Sequence, residues 1–68
     1  MRQRVVWMEC GIRQLAQARD ALEEIPGVVA AEQVMGRNAV RVWMGEGIGD
    51  GTLRGVLRAC GVNAARIE

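Results

Sequence analysis

The chain has 68 residues, half of them hydrophobic and a quarter charged, with a formal net charge of +1; this describes one small globular domain, residues 1–68, near the lower size limit for a self-sufficient core. It contains no His, Ser, Lys, Tyr or Phe, and Thr52 carries its only hydroxyl, which excludes a Ser-His-Asp triad, a Cys-His dyad, a Schiff-base lysine and a His-bearing zinc site, and with them conventional enzymatic catalysis within the chain. The near-neutral balance offers no electrostatic footprint for nucleic acid or for anionic lipid.

Cys10 and Cys60 are too few for a disulfide framework. The apolar run Val5-Val6-Trp7-Met8 ends at Glu9, well short of a signal-peptide core, and no stretch approaches the ~20 apolar residues of a membrane span. The expectation is a cytoplasmic protein with reduced thiols. All nine basic residues are arginine, which reads as codon usage before function.

In chain order, Arg4 to Met8 has the β-branched and aromatic character of a strand. Ile12, Leu15, Ala18, Leu22 and Ile25 then step by 3, 3, 4 and 3 residues, one apolar helical stripe, with Arg13, Gln17, Asp20 and Glu24 along the opposite side. Pro26-Gly27 stops that helix. Val28 to Met35 reads as a second strand and Gly36-Arg37-Asn38 as a hairpin turn. Ala39 to Met44 is the clearest strand, with Val40, Val42 and Met44 alternating against Ala39, Arg41 and Trp43. A glycine-rich loop from Gly45 to Gly51 follows, lacking the spacing and the lysine of a phosphate-binding loop, and reads as solvated. Asp50 or Thr52 is placed to cap the next helix. There Leu53, Val56, Leu57 and Cys60 recur on one face, a phase that predicts Cys60 as a small buried apolar residue. Gly61 ends the helix, and Val62 to Ile67 forms a last strand at a sheet edge. The order β-α-β-β-α-β predicts an α+β, ferredoxin-like sandwich: a four-stranded antiparallel sheet with two helices on one face. The expected core comprises Val6 or Val5 with Leu15, Leu22, Ile25, Val40, Val42, Leu53, Val56 and Leu57.

Where the first strand gives way to the first helix stands Met8-Glu9-Cys10-Gly11-Ile12-Arg13. Here the sequence resembles the heavy-metal-associated domain family of copper chaperones and copper-ATPase modules, which carries M-x-C-x-x-C at this junction. Met8 and Cys10 match the methionine and first cysteine, while Arg13 occupies the place of the second cysteine. Ile25-Pro26-Gly27-Val28, Val40-Arg41-Val42 and Leu53 through Val62 extend the resemblance over nearly the whole chain, with Val62 where the family has Tyr, Phe or Lys. The resemblance implies a soft-metal-binding or trafficking module for Cu(I) or a similar ion, with Cys10 as the primary ligand. Met8 and Cys60 are the candidate helpers, although the family's methionine usually points into the core, and the Cys10 of a second copy is the other possible completion. A soft monovalent ion prefers two thiolates, so the lone thiol weakens capture by one chain. Arg13 sets a positive charge near a cation's place and would favour a bare Cys10 thiolate instead, which also suits a redox-responsive thiol.

The alternative is a non-catalytic interaction or self-association domain that keeps the fold without metal. If Val40, Val42 and Met44 face the helices, Trp43 and Arg41 face the open side of the sheet. Trp7 either joins them beside Arg4 or Arg41, forming an aromatic patch for a homodimer or a partner protein, or packs inward with Val5. Base stacking on such a face is not expected, because the chain lacks both the glycine-aromatic ribonucleoprotein motif and the positive charge.

Overall fold

The computed structural model describes residues 1–68. Strand β1 (Arg2–Glu9) leads into helix α1 (Ile12–Glu23), followed by β2 (Val28–Gln33), β3 (Ala39–Met44), helix α2 (Asp50–Ala59) and β4 (Asn63–Ile67). The strands form one sheet in the order β2-β3-β1-β4, every pairing antiparallel. This is the ferredoxin-like sandwich read from the sequence, with each element found within a few residues of its expected bounds.

The pairing of β1 with β3 sets Arg4 opposite Val42, Val6 opposite Val40 and Trp7 opposite Ala39. Cross-strand partners share a face, so Val6, Met8, Val40, Val42 and Met44 point together toward the helices, and all are buried. Leu15, Ala18 and Leu22 of α1 and Leu53 and Leu57 of α2 close over them. Of the expected core, Val56 is only partly buried against the cluster, and Val6 takes the place that Val5 does not.

Three positions depart from expectation. Ile12 begins the α1 stripe by phase yet is 80% exposed, because it opens the helix at the rim of the sheet, where nothing stands above it. The glycine-rich loop is solvated except at Ile48, which is buried; its Cδ1 lies 2.8 Å from where a Cβ on Gly27 would stand, and Gly27 has φ of +98°. Neither Asp50 nor Thr52 caps α2: Gly49 is the N-cap residue and makes no side-chain cap. Asp50 instead sits in the first helical turn, where the helix dipole favours a carboxylate, and pairs with Arg4 Nε at 3.4 Å.

Helix α2 ends in a Schellman turn. The Val62 N–H donates to the Leu57 carbonyl at 2.9 Å and the Gly61 N–H to the Arg58 carbonyl at 3.0 Å, with Gly61 at a φ of +76°. Val62 and Leu57 are both buried, the hydrophobic pair that accompanies this motif. Cys60 is the C-cap residue of that turn and is exposed. The prediction of a buried Cys60 is therefore corrected: Val62 folds back into the space that a continuing helix would have given to Cys60.

Each helix also reaches the sheet's outer edge with an arginine. Arg19 Nη1 donates to the Ala31 carbonyl of β2 at 2.7 Å, and Arg54 Nη1 to the Ala64 carbonyl of β4 at 3.0 Å. Two of the nine arginines thus serve as helix-to-edge clamps, beyond any bias of codon usage.

Leu22 is fully buried at the centre of the α1 contact. Replacing it by alanine is expected to lower stability by about 2–5 kcal/mol, whereas Ile12→Ala should change it by less than about 0.5 kcal/mol. Urea unfolding of both variants, with unchanged slope and a shifted midpoint only for Leu22→Ala, checks the phase of the helix.

Candidate metal centre

Cys10 stands between the last residue of β1 and the first turn of α1. Three turns meet around it. Asn38, at the end of the β2–β3 connection, accepts a hydrogen bond from the Met8 N–H through its carbonyl at 2.8 Å. Its side-chain Nδ2 donates to the Cys10 carbonyl at 3.2 Å. On the other side Glu9 pairs with Asn63, whose side-chain amide donates to the Glu9 carboxylate. The Cys60-Gly61 turn leads directly into that strand, so both thiols belong to the same end of the molecule. Both are free cysteines.

Gly11 is the N-cap residue of α1, and its N–H is taken up by Gln14 Oε1 at 3.3 Å. Sequence reasoning missed Gln14 and Asn38. A signal was present for Gln14, since a Gln three residues after the N-cap position is the reciprocal half of a capping box, but not for Asn38, whose partner carbonyl lies 28 residues away.

The candidate ligands differ sharply in accessibility. Cys10 is half-buried and packs against the edge of the core. Met8 is only 4% exposed; its thioether is a core group, as the resemblance anticipated. Cys60 is exposed on the far side of the Schellman turn. No cluster of three or more His, Cys, Asp or Glu side chains is present that could hold a metal ion. One chain therefore offers a single approachable thiol at the junction, with a second thiol on a neighbouring turn.

The electrostatics correct one expectation. Burial pushes the Cys10 thiol above the ordinary cysteine value, and desolvation is the only cause that acts on it. Arg13 is exposed, so its charge is screened by water and does not offset that penalty. The junction favours a neutral thiol over a bare thiolate.

On the helix-free face, Trp7 and Trp43 both point outward with Val5 and Arg41, which settles the orientation of Trp7 in favour of the open side. Arg4 does not share that face, since it is opposite Val42 and reaches Asp50 on the helix side. The two indoles flank the Val5–Arg41 pair, with Trp7 opposite Ala39 and Trp43 opposite Gln3, roughly 14 Å apart at ~3.4 Å per residue. Trp7 is also engaged within the chain. Its Nε1–H donates to Glu68 Oε1 at 2.9 Å, and the Arg66 guanidinium lies 4.9 Å over its ring. Trp43 has no such partner, and the Arg41 Nε is buried without a hydrogen bond.

No family model and no curated protein matches this sequence. Among solved structures, a CopZ metallochaperone superposes with a TM-score of 0.81, covering 94% of this chain and 100% of its own at 16% identity. The chain folds like this metallochaperone. The yeast copper transporter domain CCC2A, solved in apo and Cu(I)-loaded states, gives a TM-score of 0.78 over 100% of this chain and 93% of its own at 13% identity. At such identities the likeness establishes the fold alone, the ferredoxin-like sandwich that the order of elements predicted.

Alkylation of Cys10 should accelerate with rising pH to a midpoint above that of an unperturbed thiol, because the neutral form is the one that burial favours. Arg13→Ala should leave that midpoint in place. Iodoacetamide rates measured against pH on a Cys60→Ala background read it directly.

Proposed function

We propose that the chain is a soft-metal trafficking module carrying Cu(I), or an ion of similar softness, as cargo on Cys10, with the second sulfur supplied by another molecule. The observation that carries this reading is the position of Cys10, half-buried at the β1–α1 junction of a fold shared with the CopZ metallochaperone and a yeast copper transporter domain. The donor set suits transient holding. A soft monovalent ion takes two sulfurs in near-linear array, and one chain presents one at the junction. Met8 is committed to the core, and Arg13 stands where a second thiolate would complete the site. Binding by a single chain is accordingly weak, and it strengthens when a second copy or a target protein brings its own thiolate. Because the thiol must lose its proton to bind, retention rises with pH by about tenfold per unit below the Cys10 pKa for each thiol engaged.

Competition against a Cu(I) chelator tests the reading. The wild type should retain one ion per two chains, Cys10→Ala none, and Cys60→Ala about as much as the wild type. Arg13→Cys should raise affinity by at least about 100-fold and shift the stoichiometry to one ion per chain, since it supplies the missing thiolate. Equal and negligible retention by wild type and Cys10→Ala overturns the proposal.

A second reading, a metal-independent interaction domain, is favoured by the open face. Trp43 stands there without an internal partner, beside an arginine whose Nε is buried and unbonded. Under this reading the domain associates with a second copy or a partner protein through Trp43, Val5 and Arg41, and Trp7 is a lesser contributor because Glu68 and Arg66 already hold it. Sedimentation of the metal-free protein distinguishes the two. A dimer at tens of micromolar that dissociates in Trp43→Ala supports the open face; a dimer that needs added Cu(I) and is lost only in Cys10→Ala supports the metal bridge.

A further inference from the structure

The two exposed edges of the sheet are guarded by the same device but not to the same degree. An edge strand presents unpaired N–H and C=O groups to any passing strand, and covering them blocks that pairing. On β2 the guard is locked. Arg19, which covers the Ala31 carbonyl, is simultaneously paired with Asp20 and, at 3.1 Å, with Glu23, and these carboxylates hold its guanidinium more firmly protonated than usual. On β4 the guard is loose. Arg54 covers the Ala64 carbonyl through one bond of 3.0 Å, and neither it nor Arg58 one turn later has a carboxylate partner.

A groove of about 240 Å³ runs along this second edge, lined by Arg54, Arg58, Gly61, Val62, Asn63 and Ala64. It contains two cations and no acid. The edge beside it has further free valence. Val5 and Glu68 exchange both of their backbone hydrogen bonds, at 2.8 and 2.9 Å, so in an antiparallel ladder the adjoining Val6–Ile67 pair is the non-bonded one, and the N–H and C=O of Ile67 point outward. Ala64 and Ile67 thus offer backbone groups on either side of the loosely held cover.

We propose that the outer edge of β4 is a docking site for an extended acidic segment of a partner protein, which adds as a fifth strand after its carboxylates draw Arg54 off the Ala64 carbonyl. The two arginines select the segment and the backbone holds it, as in other strand-addition complexes. An incoming carboxylate exchanges the single bond of Arg54 to an uncharged carbonyl for an ion pair that the guanidinium can make with two parallel bonds, which is the stronger kind. The β2 edge is closed to the same ligand, because Arg19 already has its carboxylates. This site is independent of metal and of Cys10, so it stands or falls apart from the trafficking reading.

The test uses the full chain, labelled with nitrogen-15, and two capped peptides, Ac-Thr-Glu-Val-Glu-Thr-NH2 and its lysine counterpart Ac-Thr-Lys-Val-Lys-Thr-NH2. The expected result is saturable shifts of the Ala64 and Ile67 amides and the Arg54 Nε–H with the acidic peptide, and at least tenfold weaker binding of the basic one. Arg54→Gln and Arg58→Gln, each confirmed as folded by retention of the dispersed amide spectrum, should erase that preference, while Arg19→Gln should leave it intact. Equal affinity for the two peptides, shifts centred on β2 or on Trp43, or no shift at about 1 mM peptide overturns the proposal.

Discussion

Strand β1 is hydrogen-bonded along both edges, to β3 on one side and β4 on the other, so the side-chain parity it adopts is imposed on the whole sheet. Its own sequence does not decide that parity, since Val5 and Trp7 are as apolar as Val6 and Met8. The decision comes from β3. Turning β3 over would carry Arg41 into the core, and a buried guanidinium without a partner is costly enough to forbid it. With Val40, Val42 and Met44 inward, Val6 and Met8 must follow. The fate of Met8 as a core group, the outward stance of both indoles and the separation of Arg4 from Arg41 all descend from that one register.

This explains how much of the molecule could be read from its residues. Helical phase located Leu15, Leu22, Leu53 and Leu57, because those positions lie in mid-helix where period and burial coincide. It held only in part at Val56 and failed at Ile12 and Cys60. Ile12 keeps the phase of the stripe but opens the helix in an exposed position, and Cys60 keeps it at the C-cap, just before the backbone turns left-handed at Gly61. Ile48 was invisible for the opposite reason: a lone apolar residue among glycines has no period to betray it, and only the tertiary approach of Gly27 gives it a place. The orientation of Trp7 required the register, which an ambiguous strand cannot supply alone.

The junction at Cys10 was legible in outline and not in electrostatics. Its position between strand and helix follows from the sequence, as does the substitution of the expected second cysteine by Arg13. The sign of the thiol's shift does not follow, because it depends on a balance between a charge that turns out to be solvated and a desolvation set by packing against the core edge. The asparagine and glutamine that brace the surrounding backbone are polar residues with many ordinary surface roles, and their partners lie 28 and 3 residues away; only the shorter of these separations is a recognisable local motif.

The buried Ile48 has a consequence for how stiffness is distributed. It joins three segments that are remote in sequence: the turn at Gly27, the loop whose Gly45 N–H bonds the Gly27 carbonyl at 3.0 Å, and the start of β1, whose Arg2 guanidinium reaches the Ile48 carbonyl at 3.5 Å. One apolar side chain thereby ties a turn, a loop and a strand at that end of the sandwich, so a local opening there involves all three together. The Cys10 end is braced differently, by the polar side chains of Asn38, Gln14 and Asn63, whose separate bonds can be exchanged one at a time.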